Sequence, residues 1–191
     1  AESTQCSVGS VGCRAYTGNS GNNVNPRVIV ARFETTATST AAIRAVIGDW
    51  ISSPGVRLSA ESLQVGGHSL EVNINQAWRL MATGTLQFGE WYEVEFWTRG
   101  TVQNLSVSLA HDLNENGVIE AATELAPNGS LTRNAATNED VSVTVSGDWR
   151  RYRLGPEQFN GRSTGAGGLV ISRAGGPGQP TGPYYLDFVR L

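Results

Sequence analysis

Lysine is absent from this 191-residue chain: all 14 basic residues are arginine, set against 17 Asp and Glu. Charged residues make up only 16% and the net charge is −3, so no basic field exists to attract nucleic acid or an anionic membrane. No apolar run approaches the roughly 18 residues that cross a bilayer as a helix. There is no apolar leader segment either, and Ala1-Glu2-Ser3 reads as the mature start of a secreted protein. Histidine is nearly absent, with only His68 and His111, and cysteine is limited to Cys6 and Cys13. Two sulfurs cannot close a structural zinc site, which takes four ligands. Gly9 and Gly12 let the short loop between the cysteines close, so the pair reads as a local disulfide made in an oxidising compartment. Two buried free thiols are the alternative. Neither form supports catalysis, because no histidine lies near in sequence.

Glycine (23 residues), asparagine, serine and threonine are abundant instead. Residues 1–26 are rich in Gly, Asn and Ser, end at Pro26, and read as a disulfide-stapled N-terminal extension. From Arg27 to Leu191, β-type runs dominate: 28–33, 70–74, 91–98, 105–109, 141–145, 149–154, 168–172 and 184–191. Turn residues separate them, as at Gly66-Gly67, Arg99-Gly100 and Ser146-Gly147. Only 38–47 has the pattern of a short helix. Many short strands without a strand–helix–strand rhythm predict an all-β, antiparallel β-sandwich in one domain, 27–191.

Six short elements then stand in a telling order: Phe33-Glu34; Trp50; Gly66-Gly67-His68-Ser69-Leu70-Glu71-Val72; Gly89-Glu90-Trp91-Tyr92-Glu93-Val94-Glu95-Phe96-Trp97; Trp149-Arg150-Arg151-Tyr152; and Tyr185-Leu186-Asp187-Phe188-Val189. Over about 160 residues this outline resembles bacterial carbohydrate-binding modules of families 4, 9, 16 and 22. The resemblance implies a jelly-roll sandwich, a polysaccharide or oligosaccharide ligand held along an exposed sheet face, and membership of a larger multimodular secreted enzyme. It also implies a structural calcium ion at the sandwich edge, held by Glu34 and Asp187 with backbone carbonyls near the Gly-x-x-Ser turn. The stapled extension and a long insertion at 111–137 depart from the family outline.

The strand 91–98 carries the chemistry. By the two-residue period, Tyr92, Val94 and Phe96 take one face, and Trp91, Glu93, Glu95, Trp97 and Arg99 the other. The first set is the expected core. The second is apt for a glycan, whose C–H faces pack on indoles and whose hydroxyls bond carboxylates and guanidinium. Glu71 on 70–74 is expected to extend this row, and Trp78, Trp50 or Tyr16 to add walls from loops. Trp149 is expected in the core. The other reading of the row is a second apolar layer with solvated cross-strand ion pairs.

A second metal reading comes from HDLNENGVIEAATEL at 111–125. Asp112, Asn114, Asn116, Gly117, the Val118 carbonyl and Glu120 follow the spacing of a helix–loop–helix calcium loop. Its twelfth position is Thr123, however, and Glu124 falls one residue late. A strand precedes it, and Ala126-Pro127-Asn128-Gly129 reads as a turn, so no helix pair exists to open. The expectation is a Ca²⁺ clip that orders the insertion; an unliganded acidic turn is the alternative.

Enzymatic readings are weaker. Gly161-Arg162-Ser163-Thr164-Gly165 has the nucleophile-elbow spelling but lies in a Gly-rich loop of an all-β chain. Glu93 and Glu95, about 6.5 Å apart on one strand, are far enough for a glycosidase pair, although such pairs normally face each other across a cleft. The expected function is a non-catalytic, calcium-stabilised polysaccharide-binding module. A jelly-roll glycanase or polysaccharide lyase, or a calcium-rigidified adhesive domain, is the alternative.

Overall fold

Strand Trp91–Gly100 shows how this sequence builds a sheet. Its alternating residues Val94, Phe96 and Thr98 are fully buried, while Glu93, Glu95, Trp97 and Arg99 are not. In the computed structural model, residues 30–34, 50, 55–64, 67–74, 76–80, 86–116, 119, 124–134, 139–140, 143–160, 166–174 and 182–191 are described. Backbone alone is described at 30, 76–80, 125–130, 133–134 and 139–140. The N-terminal extension with Cys6 and Cys13, the helix expected at 38–47, Tyr16 and the 161–165 loop lie outside these residues.

Two sheets face each other. The first has the order β11 (Arg150–Gln158), β5 (Trp91–Gly100), β13 (Tyr184–Arg190), β3 (Ser69–Val72), β2 (Val56–Ser59), with the short β1 (Val30–Ala31) also on β13. The second has the order β10 (Val143–Val145), β6 (Gln103–His111), β12 (Gly167–Arg173), β4 (Gln76–Leu80), with β7 (Leu125–Ser130) also on β6. A small hairpin joins β8 (Arg133–Asn134) to β9 (Glu139–Asp140). All pairings are antiparallel, and no helix occurs among the described residues.

The core lies between the sheets. Leu70, Val72, Val94, Phe96, Leu154 and Leu186 come from the first, and Leu105, Val107, Leu109, Val143, Leu169 and Ile171 from the second. Each such side chain contributes roughly 1.5–3 kcal/mol by leaving water. The Tyr184 hydroxyl ties the layers by donating to the Ile171 carbonyl at 3.1 Å. Trp50 is buried edge-on against Phe33, their ring centres 6.1 Å apart. Tyr152 stacks on Phe96 at 5.9 Å and donates its hydroxyl to the Thr144 carbonyl at 2.7 Å.

Several expectations change. Trp149 is half-buried just before β11 and does not join the core; its indole sits one residue ahead of the paired backbone. The turn expected at 126–129 is part of β7, a short ribbon at the irregular edge of β6, where Pro127 is tolerated because an edge strand pairs on one side only. Strands β2 and β4 were hidden in the sequence, because four or five residues are too few for a pattern to stand out. In β13, the four residues from Asp187 to Arg190 span what three span on β5, Trp97 to Glu95. The extra residue is a bulge at Phe188, with φ 49°, and it resets the alternation so that Val189 is buried and Arg190 reaches the outer face.

Candidate functional site

The outer face of the first sheet collects nearly every residue that the sequence singled out for ligand binding. β5 lies between β11 and β13, and register fixes the neighbours: Trp97 stands between Arg151 and Asp187, Glu95 between Arg153 and Arg190. Next to that row, Arg57, Glu71, Tyr185 and Arg99 follow one another across β2, β3, β13 and β5. Trp91 begins β5 with 60% of its surface exposed, whereas Trp97 is half-buried. Six residues of extended chain separate the two indoles by about 20 Å, the span of several sugar residues.

The acids are not free. Glu93 accepts from Arg153 Nε at 2.6 Å, and Glu95 from Arg151 Nη2 at 2.5 Å with Arg190 Nη1 3.6 Å away. Arg99 donates to Glu61 at 2.9 Å, and Arg57 pairs with Glu71 at 2.8 Å. The Arg151 hydrogen bond holds the Glu95 carboxyl below its usual range, outweighing the opposing cost of its partial burial. The face is therefore a ladder of guanidinium–carboxylate pairs rather than a row of bare acids. Sequence spacing identified Glu93, Glu95, Arg99, Trp91 and Trp97 as sharing a face, but not their partners. Arg151 and Arg153 alternate on β11 as the two acids do on β5, which was the available signal.

Two expected members sit differently. Glu71 points to this face but is buried, with 6% of its surface exposed beside Arg57 and Tyr185. Trp78 lies on β4 in the opposite sheet, paired in register with Val170, and not in a loop beside the ladder. Glu61, Tyr185 and Arg57 were missed: the acid lies in a loop, and the other two belong to strands whose register sequence alone does not set.

Both expected metal sites have an all-oxygen donor set. At the sandwich edge, the fully buried Asp187 accepts from the Leu63 and Phe188 N–H groups at 3.2 and 2.8 Å. Its carboxyl is pushed up to about 6, chiefly by burial, with Glu34 adding to the rise. Glu34 takes the His68 N–H at 3.2 Å, and a Cβ at Gly67 would lie 2.5 Å from its Oε1, so a side chain there would push this carboxylate aside. Phe33 and Phe188, each next to one of these acids, have left-handed φ values of 58° and 49°.

In the 111–125 segment, Asp112 and Glu124 are both buried. Glu124 Oε1 accepts from the Leu113 and Asn114 N–H groups at 2.8 and 3.3 Å, so the late glutamate folds back onto the loop. The Asn116 N–H lies 3.1 Å from both Asp112 Oδ1 and Asn114 Oδ1. Val118 and Glu120 lie outside the described residues. Among the described residues, no three His, Cys, Asp or Glu side chains converge to hold a metal, so an ion at either place would need amide or backbone oxygens as well. Oxygen-only donors of this kind fit hard Ca²⁺ and not zinc.

Two facing antiparallel sheets make a β-sandwich, and its fold is shared with carbohydrate-binding modules. The fold matches a xylan-binding domain of family 22 with a TM-score of 0.54 at 15% identity, covering 86% of this chain and 92% of that one. It matches the C-terminal family 22 module of Clostridium thermocellum Xyn10B with a TM-score of 0.55, also at 15% identity, over 88% and 95% of the two chains. The tandem family 22 modules of Paenibacillus barcinonensis Xyn10C match at 0.54 and 16% identity, over 86% of this chain and 45% of the tandem. No protein-family model and no curated protein sequence matches the chain.

Proposed function

We propose that this chain is a non-catalytic, calcium-stabilised polysaccharide-binding module that works outside the cell. The observation that carries the reading is the ladder: two tryptophans and four guanidinium–carboxylate pairs on one outer sheet face of a carbohydrate-binding-module fold. Apolar sugar faces stack on Trp97 and Trp91, and hydroxyls bond Glu93, Glu95, Arg99 and their partners. Because each pair already holds its geometry, little side-chain entropy remains to be lost on binding.

Ladder chemistry also weighs against cleavage at this face. A glycosidase needs one carboxyl with a raised pKa to protonate the leaving oxygen. Glu93 and Glu95 each face an arginine, and Glu95 is held ionised. Similar folds include a xylan-binding domain and part of the CBM22-1–GH10 modules of a xylanase complexed with xylohexaose, the latter at a TM-score of 0.50 and 11% identity over 28% of that chain. These supports make β-1,4-xylan the first ligand to test and a bacterial multimodular enzyme the natural setting.

Calcium enters this proposal as a fastener. At the edge, Glu34 and Asp187 would hold it, tying the start of the sandwich to β13; in the insertion, Asp112, Asn114, Asn116 and Glu124 would do so. The ion supplies positive charge to buried carboxylates. The wild-type chain is expected to be retarded in native gels containing xylan or another neutral polysaccharide, and to release no reducing sugar from it. Absence of retardation across a broad glycan panel would leave the ladder as a purely structural fastening.

A further inference from the structure

At one end of the ladder lies a depression of about 300 Å³ lined by Glu61, Arg99, Gly100, Gly147, Pro183 and Tyr185. That volume is at the small end for ligand pockets. Tyr185 sits in register between Glu71 and Arg99, and each of these is already paired, Glu71 with Arg57 and Arg99 with Glu61. An aromatic ring is thus bracketed by two ion pairs. Arg99 and Glu61 keep 39% and 50% of their side-chain surface exposed. One guanidinium N–H engages one carboxylate oxygen, which leaves further donors and an acceptor side by side for a ligand.

The loop that supplies Glu61 is held from several sides. The Glu61 N–H lies 3.2 Å from Ser59 Oγ, the Ser69 hydroxyl donates to the Glu61 carbonyl, and Leu63 N–H reaches Asp187. On the opposite rim, Gly100 has φ +142° and passes so near Pro183 that an added Cβ would lie 2.5 Å from its carbonyl oxygen. A Cβ at Gly147, by contrast, would meet nothing within 4 Å. The wall is therefore fixed at Gly100 and open at Gly147.

We infer that this depression is a subsite for a single neutral pyranose of the bound glycan, with Tyr185 under the ring and the Arg99–Glu61 pair bonding two adjacent hydroxyls. A guanidinium and a carboxylate side by side cancel in charge, so the subsite takes neutral sugar and disfavours uronate. Adjacent ring hydroxyls act as donor and acceptor together, which matches a carboxylate beside a guanidinium. The inference rests on the polysaccharide-binding reading and adds to it a position that the Trp91–Trp97 row alone does not supply.

The test is calorimetric titration of the full chain with xylohexaose, cellohexaose and mannohexaose. Gly147→Leu adds bulk at the open side of the depression, where a Cβ meets nothing within 4 Å, and keeps Arg99, Glu61 and Tyr185 themselves unchanged. It is expected to weaken binding of whichever hexasaccharide the wild type prefers by at least tenfold, with an unchanged thermal midpoint. Glu61→Gln keeps the shape and removes the charge pair, with an expected loss of three- to tenfold. If Gly147→Leu and Glu61→Gln both bind as tightly as the wild type while Trp97→Ala does not bind, the subsite is wrong and the polysaccharide reading stands. If the wild type binds none of the three hexasaccharides and no neutral polysaccharide in gels, both are overturned.

Discussion

The two outer faces of this sandwich are made by the same alternation and come out unlike. On the second sheet, beyond Asn104, the outward residues of β6 and β12 are short: Ser106, Ser108, Ala110, Gly168, Val170 and Ser172. Toward the Ala110 end they are covered, with Ala110, Val170 and Ile119 forming a second buried cluster under the segment that follows β6. On the first sheet, the outward residues are long, charged or aromatic, and they pair with one another across strands. Short side chains let another segment of chain settle as an extra layer; a ladder of ion pairs satisfies itself and, Glu71 apart, keeps part of its surface in water. Ile119 thus covers part of one face, and the other presents the described aromatic and hydrogen-bonding groups.

The largest effect should come from breaking the covered face. Val170→Asp would place an unpaired carboxylate where 1% of the residue is exposed, and is expected to cost about 3–5 kcal/mol in urea unfolding. Chelation comes next, with an expected fall of several degrees in the melting temperature, because an ion bound to the folded chain alone stabilises by mass action.

That effect has a pH signature. Without metal, the Asp187 carboxyl titrates near 6, above the ordinary aspartate value of about 3.9. A raised folded-state value means that this group's stability is present in full below about 3.9 and is lost as pH rises through about 6. Chelated protein should therefore melt higher at pH 5 than at pH 7, and calcium-loaded protein should lose that difference. An identical pH dependence with and without chelator would contradict the edge site.

On the ladder, Glu95→Gln leaves Arg151 and Arg190 without their shared carboxylate and is expected to cost about 0.5–1 kcal/mol, less at high salt. Trp91→Ala should change stability least, within about 0.5 kcal/mol, since the residue is largely exposed.

How far these faces were legible in sequence depended on length and locality. β5 is 10 residues of strict alternation, so its buried and outward sets could be read directly, from Val94 and Phe96 to Trp91 and Trp97. The partners could not, because Glu93 and Arg153 are 60 residues apart and only register brings them together. Glu71 was placed on the correct face but not foreseen as buried, since Arg57 comes from β2, a strand of only four residues. β7 was lost for the opposite reason: its Pro127, Asn128 and Gly129 spell a turn, and only pairing to β6 extends them. The Glu124 fold-back onto Leu113 and Asn114 shows spacing rules failing by one residue where a side chain has reach to spare.

Glycan binding by the ladder face, as proposed, is tested most directly by Trp97→Ala. Retention of the wild type and the variant should be compared in polysaccharide-containing gels, with thermal midpoints measured on the same samples. Lost retention with a midpoint lowered by no more than a few degrees is the predicted result. Unchanged retention, or loss accompanied by collapse of the midpoint, would contradict it.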